Sequence, residues 1–175
     1  MLCVLKRSDT IIIAVITVLV AALVYVVSGT LETPVINAGD RAPAFTIVTD
    51  QGRTISPSRF DGKLLVLNFW ATWCAGCVQE ITSLNAFQKK FASRGVVVVG
   101  VSMDANERTY KQFLQRFNII FATTRDPGWD LSASYGTFQL PETYLINPSG
   151  LVLEKIVAAY NFMDPAFLMR VEQLL

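Results

Sequence analysis

The sequence predicts an α/β fold with a mixed central β-sheet flanked by helices, preceded by one N-terminal transmembrane helix. Three observations carry this reading. LLVLNFW (Leu64–Trp70) and VVVVGVS (Val96–Ser102) are nearly continuous apolar runs, as expected of central strands covered on both faces. Segments with apolar residues every three or four positions alternate with such runs, which is the pattern of a layered α/β domain. Ahead of both, Ile11 to Val27 reads IIIAVITVLVAALVYVV, without a charge.

As a helix, residues 11–27 span roughly 26 Å, close to the hydrocarbon thickness of a bilayer. Lys6 and Arg7 precede the run, so the positive-inside rule places residues 1–10 in the cytoplasm and everything after Ser28 outside. Tyr25 then sits near the outer interface. The rival reading is a cleaved signal peptide, but its apolar region is usually shorter and Val27-Ser28-Gly29 is a poor cleavage site. An uncleaved single-pass anchor is the better reading. Residues 28–38 form a short linker broken by Gly29 and Pro34, and residues 39–175 form the exterior domain.

Within that domain, β-branched or alternating runs read as strands at Phe45–Thr49, Leu64–Trp70, Val96–Ser102, Phe121–Thr123, Thr143–Ile146 and Leu151–Ala159. Ile81, Leu84, Phe87 and Phe91 mark the apolar stripe of one helix, and Tyr110, Phe113, Leu114 and Phe117 that of a second. A last helix opens with Asp164 as cap and Pro165 in its first position, and its apolar face carries Phe167, Leu168, Val171 and Leu175. The order is a β pair, then β-α-β-α-β, then a hairpin at Pro148-Ser149-Gly150, then a helix. The hairpin adds antiparallel strands, so the sheet is mixed.

The chain has 175 residues, a formal net charge of +1 and no histidine. A balanced charge without basic runs argues against nucleic acid as a partner. Lack of histidine excludes a His-assisted serine or cysteine hydrolase and any imidazole-ligated metal or haem. Haem attachment of the C-x-x-C-H type fails because Val78 follows Cys77. Cys3 precedes the anchor and, in this topology, cannot meet the other two cysteines of the same molecule.

Those two, Cys74 and Cys77, sit in W-C-A-G-C directly after a predicted strand and at the start of a predicted helix. Free amide N–H groups and the helix dipole stabilise a thiolate there. One helical turn brings both sulfurs to one side, with Cys74 as the exposed attacker and Cys77 as the deeper resolver. Small Ala75 and Gly76 leave the first sulfur approachable. A structural zinc site needs four ligands, which this side of the chain lacks. A purely structural disulfide over so short a gap would constrain little of the unfolded chain. A pair that cycles between dithiol and disulfide fits best, with no other cofactor and no metal indicated.

LNFWATWCAGC, LPETYLINPSG downstream and the opening GDRAPAF together resemble the thioredoxin-like superfamily. More narrowly, they resemble the membrane-anchored extracytoplasmic thiol–disulfide oxidoreductases of the TlpA/ResA type, relatives of the AhpC/TSA redoxins, from about Ile36 to the C-terminus. The resemblance implies a thioredoxin-like fold and a bacterial cytoplasmic (inner) membrane, with the catalytic domain in the periplasm or on the outer cell surface. It also implies that Pro141 is a cis-proline facing the cysteine pair, in a substrate groove shared by Trp73, Ala75, Gly76, Leu140 and Glu142. It gives Glu80 the part of a carboxylate acting near the buried cysteine. Thioredoxin has a buried aspartate on the preceding strand for this, where the present chain has Asn68. Glu142 would help select partners, or be a solvated loop charge. Trp70 would flank the site with Trp73, or be core. Many relatives carry proline where this chain has Gly76, which bears on redox potential and so on the direction of electron flow.

Three functions compete. The first is a thiol–disulfide oxidoreductase acting on protein disulfides outside the membrane, as a reductant in the manner of cytochrome c maturation, recharged by a membrane electron donor. The second is a peroxiredoxin-like peroxidase, suggested by GDRAPAF and VSMD. Against it, that family has a threonine three residues before its cysteine, where this chain has Ala71. The third is a copper(I) carrier using two thiolates, although the thioredoxin-like carriers add a histidine.

Overall fold

The computed structural model describes residues 7–30 and 35–175, with side chains over 10–27 and 35–175. Cys3, Lys6 and linker residues 31–34 lie outside the described residues. The chain divides into two units, Met1–Thr33 and Pro34–Leu175.

In the first unit, α1 (Arg7–Thr30) is one unbroken helix. Its stretch Thr10–Val27 is long and apolar enough to cross a membrane, and none of it is buried. Ile11, Leu19, Leu23 and Val24 are each about two-thirds exposed, all around the helix. A helix apolar on every side finds its favourable surroundings in lipid or under other protein. α1 is a candidate membrane anchor.

The second unit begins with β1 (Ile47–Val48) paired antiparallel to β2 (Thr54–Ile55). A five-stranded sheet follows: β3 (Leu64–Trp70), β4 (Val96–Ser102), β5 (Ala122–Arg125), β6 (Glu142–Ile146) and β7 (Val152–Val157), in spatial order β5-β4-β3-β6-β7. β3, β4 and β5 are parallel to one another, and β6 pairs antiparallel with β3 on one side and with β7 on the other, so the sheet is mixed. Both central runs, β3 and β4, are buried at every position, which is why neither alternates with polar residues.

Successive residues face opposite sides of the sheet. Leu64, Val66, Val96 and Val98 pack under α2 (Ala75–Phe91) and α5 (Pro165–Gln173), against Leu84, Phe87, Phe91, Phe167 and Val171. Leu65, Leu67, Phe69, Val97, Val99 and Val101 share the other cluster with Ile55, Phe60, Tyr135 and Tyr144. The turn that follows α3 (Glu107–Arg116) is tied to α2 by Asn85, whose Nδ2 donates to the carbonyl of Asn118 at 3.2 Å. Trp70 belongs to the core: it is 1% exposed and lies against Tyr110 and Phe113, with ring centroids 5.9 and 5.1 Å away. Gly100 makes room for it, because a Cβ there would sit 2.8 Å from Trp70 Nε1 and from Phe121 Cε2.

β3 and β4 have the bounds read from sequence. The other strands start or stop one or two residues away, and β7 ends at Val157, short of Ala159. The opening β pair is present, although the sequence gives no range for β2, and the short helix α4 (Asp130–Ser134) has no counterpart in the sequence reading; neither is long enough to show a period. Caps at Asp164 for α5 and the positive-φ Gly150 of the β6–β7 hairpin are as read.

Candidate active site

The end of β3 aims the chain at the start of α2. There Cys74 is the N-cap residue, with extended backbone (φ −86°, ψ 109°), and its Sγ accepts the Cys77 N–H at 3.1 Å. A sulfur in the capping position takes one of the free N–H groups at the helix start, the interaction that favours a thiolate. Cys74 and Cys77 are disulfide-bonded. Cys74 is 8% exposed and Cys77 is fully buried, the order of access that an attacking and a resolving sulfur require.

The turn before Cys74 is fixed from below. The Asp104 carboxylate, buried after β4, accepts Thr72 N–H at 2.9 Å, Thr72 Oγ1–H at 2.6 Å and Ser102 Oγ–H at 2.7 Å. Met103 N–H donates to the Trp70 carbonyl at 2.9 Å. Asp104 escaped the sequence reading as a site residue, though a lone acid closing an apolar strand (VSMD) is a readable signal that it has partners.

Opposite the pair, the Leu140–Pro141 peptide is cis. Proline removes a donor and holds its φ, so the backbone here keeps a fixed profile beside α2. Closeness is shown at Gly76, where an added Cβ would be 3.2 Å from Pro141 Cδ. A cleft of about 300 Å³ opens beside Cys74, walled by Trp73, Ala75, Gly76 and Leu140, with Met103, Trp129, Thr137 and Phe138. Trp73 and Phe138 are 64% and 68% exposed, so the rim is aromatic. The last four wall residues come from three separate loops, and no spacing in the sequence joins them.

Behind Cys77, one turn along α2, lies Glu80, only 3% exposed. Asn68 Nδ2 donates to its Oε1 at 2.8 Å and to Thr143 Oγ1 at 2.9 Å, and the Tyr160 N–H donates to its Oε2 at 3.1 Å. Burial pushes the Glu80 carboxyl up to about 7; the hydrogen bonds from Asn68 and Tyr160 favour the carboxylate and oppose part of that rise. Asn68, where thioredoxin has an acid, thus holds the acid of the neighbouring helix. Glu142, expected in the groove or in solvent, is in neither place. It points to the other face of the sheet, 3% exposed, and pairs with Lys155 at 2.6 Å. The two-residue pleat explains this: Thr143 shares its face with Asn68, so Glu142 must take the opposite one.

A cysteine pair at a helix N-terminus, a cis-proline across from it and a mixed sheet below define the thioredoxin-like class of thiol–disulfide proteins. The chain belongs to the AhpC/TSA family, whose model matches residues 38–155. It is similar to the thiol-disulfide oxidoreductase ResA of Bacillus subtilis, 31% identical over 153 residues, 86% of each chain. The ResA of Bacillus thuringiensis subsp. konkukian is 31% identical over 118 residues, 67% of this chain and 68% of that one. Among solved structures, a Chlorobium tepidum protein proposed to be the thiol:disulfide interchange protein DsbE superposes with a TM-score of 0.67 at 30% identity, covering 81% of this chain and 96% of its own. Fold, pair and relatives agree on a thiol–disulfide oxidoreductase, an enzyme that acts on protein thiols.

Proposed function

We propose that the chain is a membrane-anchored reductant of protein disulfides outside the membrane, serving substrates such as the haem-attachment cysteines of apocytochrome c. The observation that carries the catalytic reading is the stacking along α2 of a sulfur at the edge of the cleft, a fully buried sulfur and a buried acid. Cys74 thiolate attacks a substrate disulfide, and the first substrate sulfur leaves. Cys77 then gives its proton to the Glu80 carboxylate and attacks Cys74 Sγ, and the second substrate sulfur leaves as thiolate. Substrate gains the electron pair, and Cys74–Cys77 is left as a disulfide for a membrane electron donor to reduce. Pro141 and the cleft walls Trp73, Ala75, Gly76 and Leu140 hold the substrate chain against Cys74. Support for the exterior location comes from α1 with Arg7 at its start.

Equilibration against defined thiol–disulfide buffers tests direction. A potential near or below about −250 mV identifies a reductant. A value of about −120 to −180 mV identifies an oxidant or isomerase and removes the cytochrome reading.

A further inference from the structure

A second cleft opens one turn further along α2. It holds about 250 Å³ and is lined by Gln79, Glu80, Ser83, Ala159, Tyr160 and Asn161. None of these residues lines the cleft beside Cys74. Positions 76, 80 and 83 follow one stripe of the helix, so the two openings lie in series. A ridge separates them: at Gly76 an added Cβ would meet Pro141 Cδ at 3.2 Å and Ala159 Cβ at 3.4 Å.

The far wall is held in place. Ser83 Oγ–H donates to the Glu80 carbonyl at 2.8 Å and accepts the Phe162 N–H at 3.1 Å, while the Tyr160 N–H reaches Glu80 Oε2 at 3.1 Å. Ala158, where this segment leaves β7, has φ +74°, a left-handed turn that bends the chain over Glu80. Asn68 from β3 donates to the carboxyl as a neutral partner, and the same Nδ2 donates to Thr143 Oγ1 of β6. Arg170 of α5 is engaged with Glu154 at 3.0 Å.

In the sequence of steps above, a protein substrate covers Cys74 while Glu80 takes up a proton. That proton either returns to Cys77 when the pair is reduced again or exchanges with solvent by a route that docked substrate does not cover. We propose that the second cleft is the solvent port of Glu80, open while substrate is docked, and that it admits a small carboxylate when the Glu80 side chain is removed. The proposal rests on the reading of Glu80 as the base. In the altered protein, Cys77 gives its proton to bound formate and attacks Cys74 Sγ. The bond from Cys74 to the substrate sulfur breaks, that sulfur leaves as thiolate, and formic acid departs through the cleft.

The test uses the full chain in detergent, reduced and mixed with a disulfide peptide. Acid-quenched samples are weighed by mass spectrometry for mixed disulfide and for the Cys74–Cys77 disulfide. Glu80→Ala is expected to slow the second step by roughly a hundredfold near neutral pH. Formate, at ionic strength held constant with chloride, is expected to recover roughly tenfold of that. Glu80→Gln, whose amide fills the space, should be slow and not rescued. Adding Asn161→Trp at the mouth of the cleft should abolish the rescue of Glu80→Ala. A slow Glu80→Ala that formate does not help overturns the port, as does rescue that survives Asn161→Trp. If Glu80→Ala and Glu80→Gln are as fast as the parent, the base assignment itself falls. Should Glu80→Ala fail to fold, Glu80→Ser reads the same outcomes.

Discussion

Glu80 is where charge, burial and chemistry meet. Its carboxyl sits at about 7 because burial disfavours the charged form. The native state therefore binds this proton more tightly than the unfolded chain, whose glutamates titrate near 4.3. Stability from this group is whole below that value and is lost as pH rises through 7, by about 4 kcal/mol at most. Thermal melts of the oxidised protein should fall between pH 5 and 8, and Glu80→Gln should flatten that fall. Asn68→Ala removes a bond that favours the carboxylate, so the midpoint for resolution by Cys77 should move to higher pH, read from rates of substrate thiol release. Cys77→Ser should accumulate a Cys74 mixed disulfide detectable by mass, whereas Cys74→Ser should form none. Much of this was legible in residue order: C-x-x-C fixes both sulfurs, and three further positions along a helix put Glu80 on their side. Glu142 was not legible, because adjacency to Pro141 says nothing about which face of a strand a side chain takes.

Elements set these positions through packing. β3 and β4 could be read to the residue because strands buried on both faces must be apolar throughout, and their ends are where that run stops. α2 was readable from Ile81, Leu84, Phe87 and Phe91, all buried. β2, α4 and the loops carrying Trp129 and Phe138 had no such signature: their places are set by contacts distant in sequence. α2 is held hardest at Phe87, whose ring lies 4.9 Å from Phe91, 5.5 Å from Phe167 and 6.1 Å from Phe162. Phe87→Ala should cost about 3–5 kcal/mol in urea unfolding. Asp104→Ala leaves the Thr72 N–H and two hydroxyls without their acceptor. A loss of about 1–3 kcal/mol is expected, together with slower attack by Cys74 as the turn before it loosens.

At the scale of the molecule, the proposed anchor would give the two units different solvents. The sheet domain contains its own two-sided core, so residues 35–175 alone should fold and keep the two-electron couple, while the full chain should sediment with membranes and resist alkaline carbonate. Release of the full chain by carbonate would remove the anchor from the proposal. The cleft beside Cys74 has one more consequence, an optical one. Trp73 and Trp129 both wall the space next to the Cys74–Cys77 disulfide, whereas Trp70 is sealed in the core. Disulfides quench neighbouring indoles by accepting an electron from the excited ring. Reduction should therefore brighten the protein's own ultraviolet emission over a constant background from Trp70. The oxidation state can then be followed without a dye, in intact vesicles as well as in detergent.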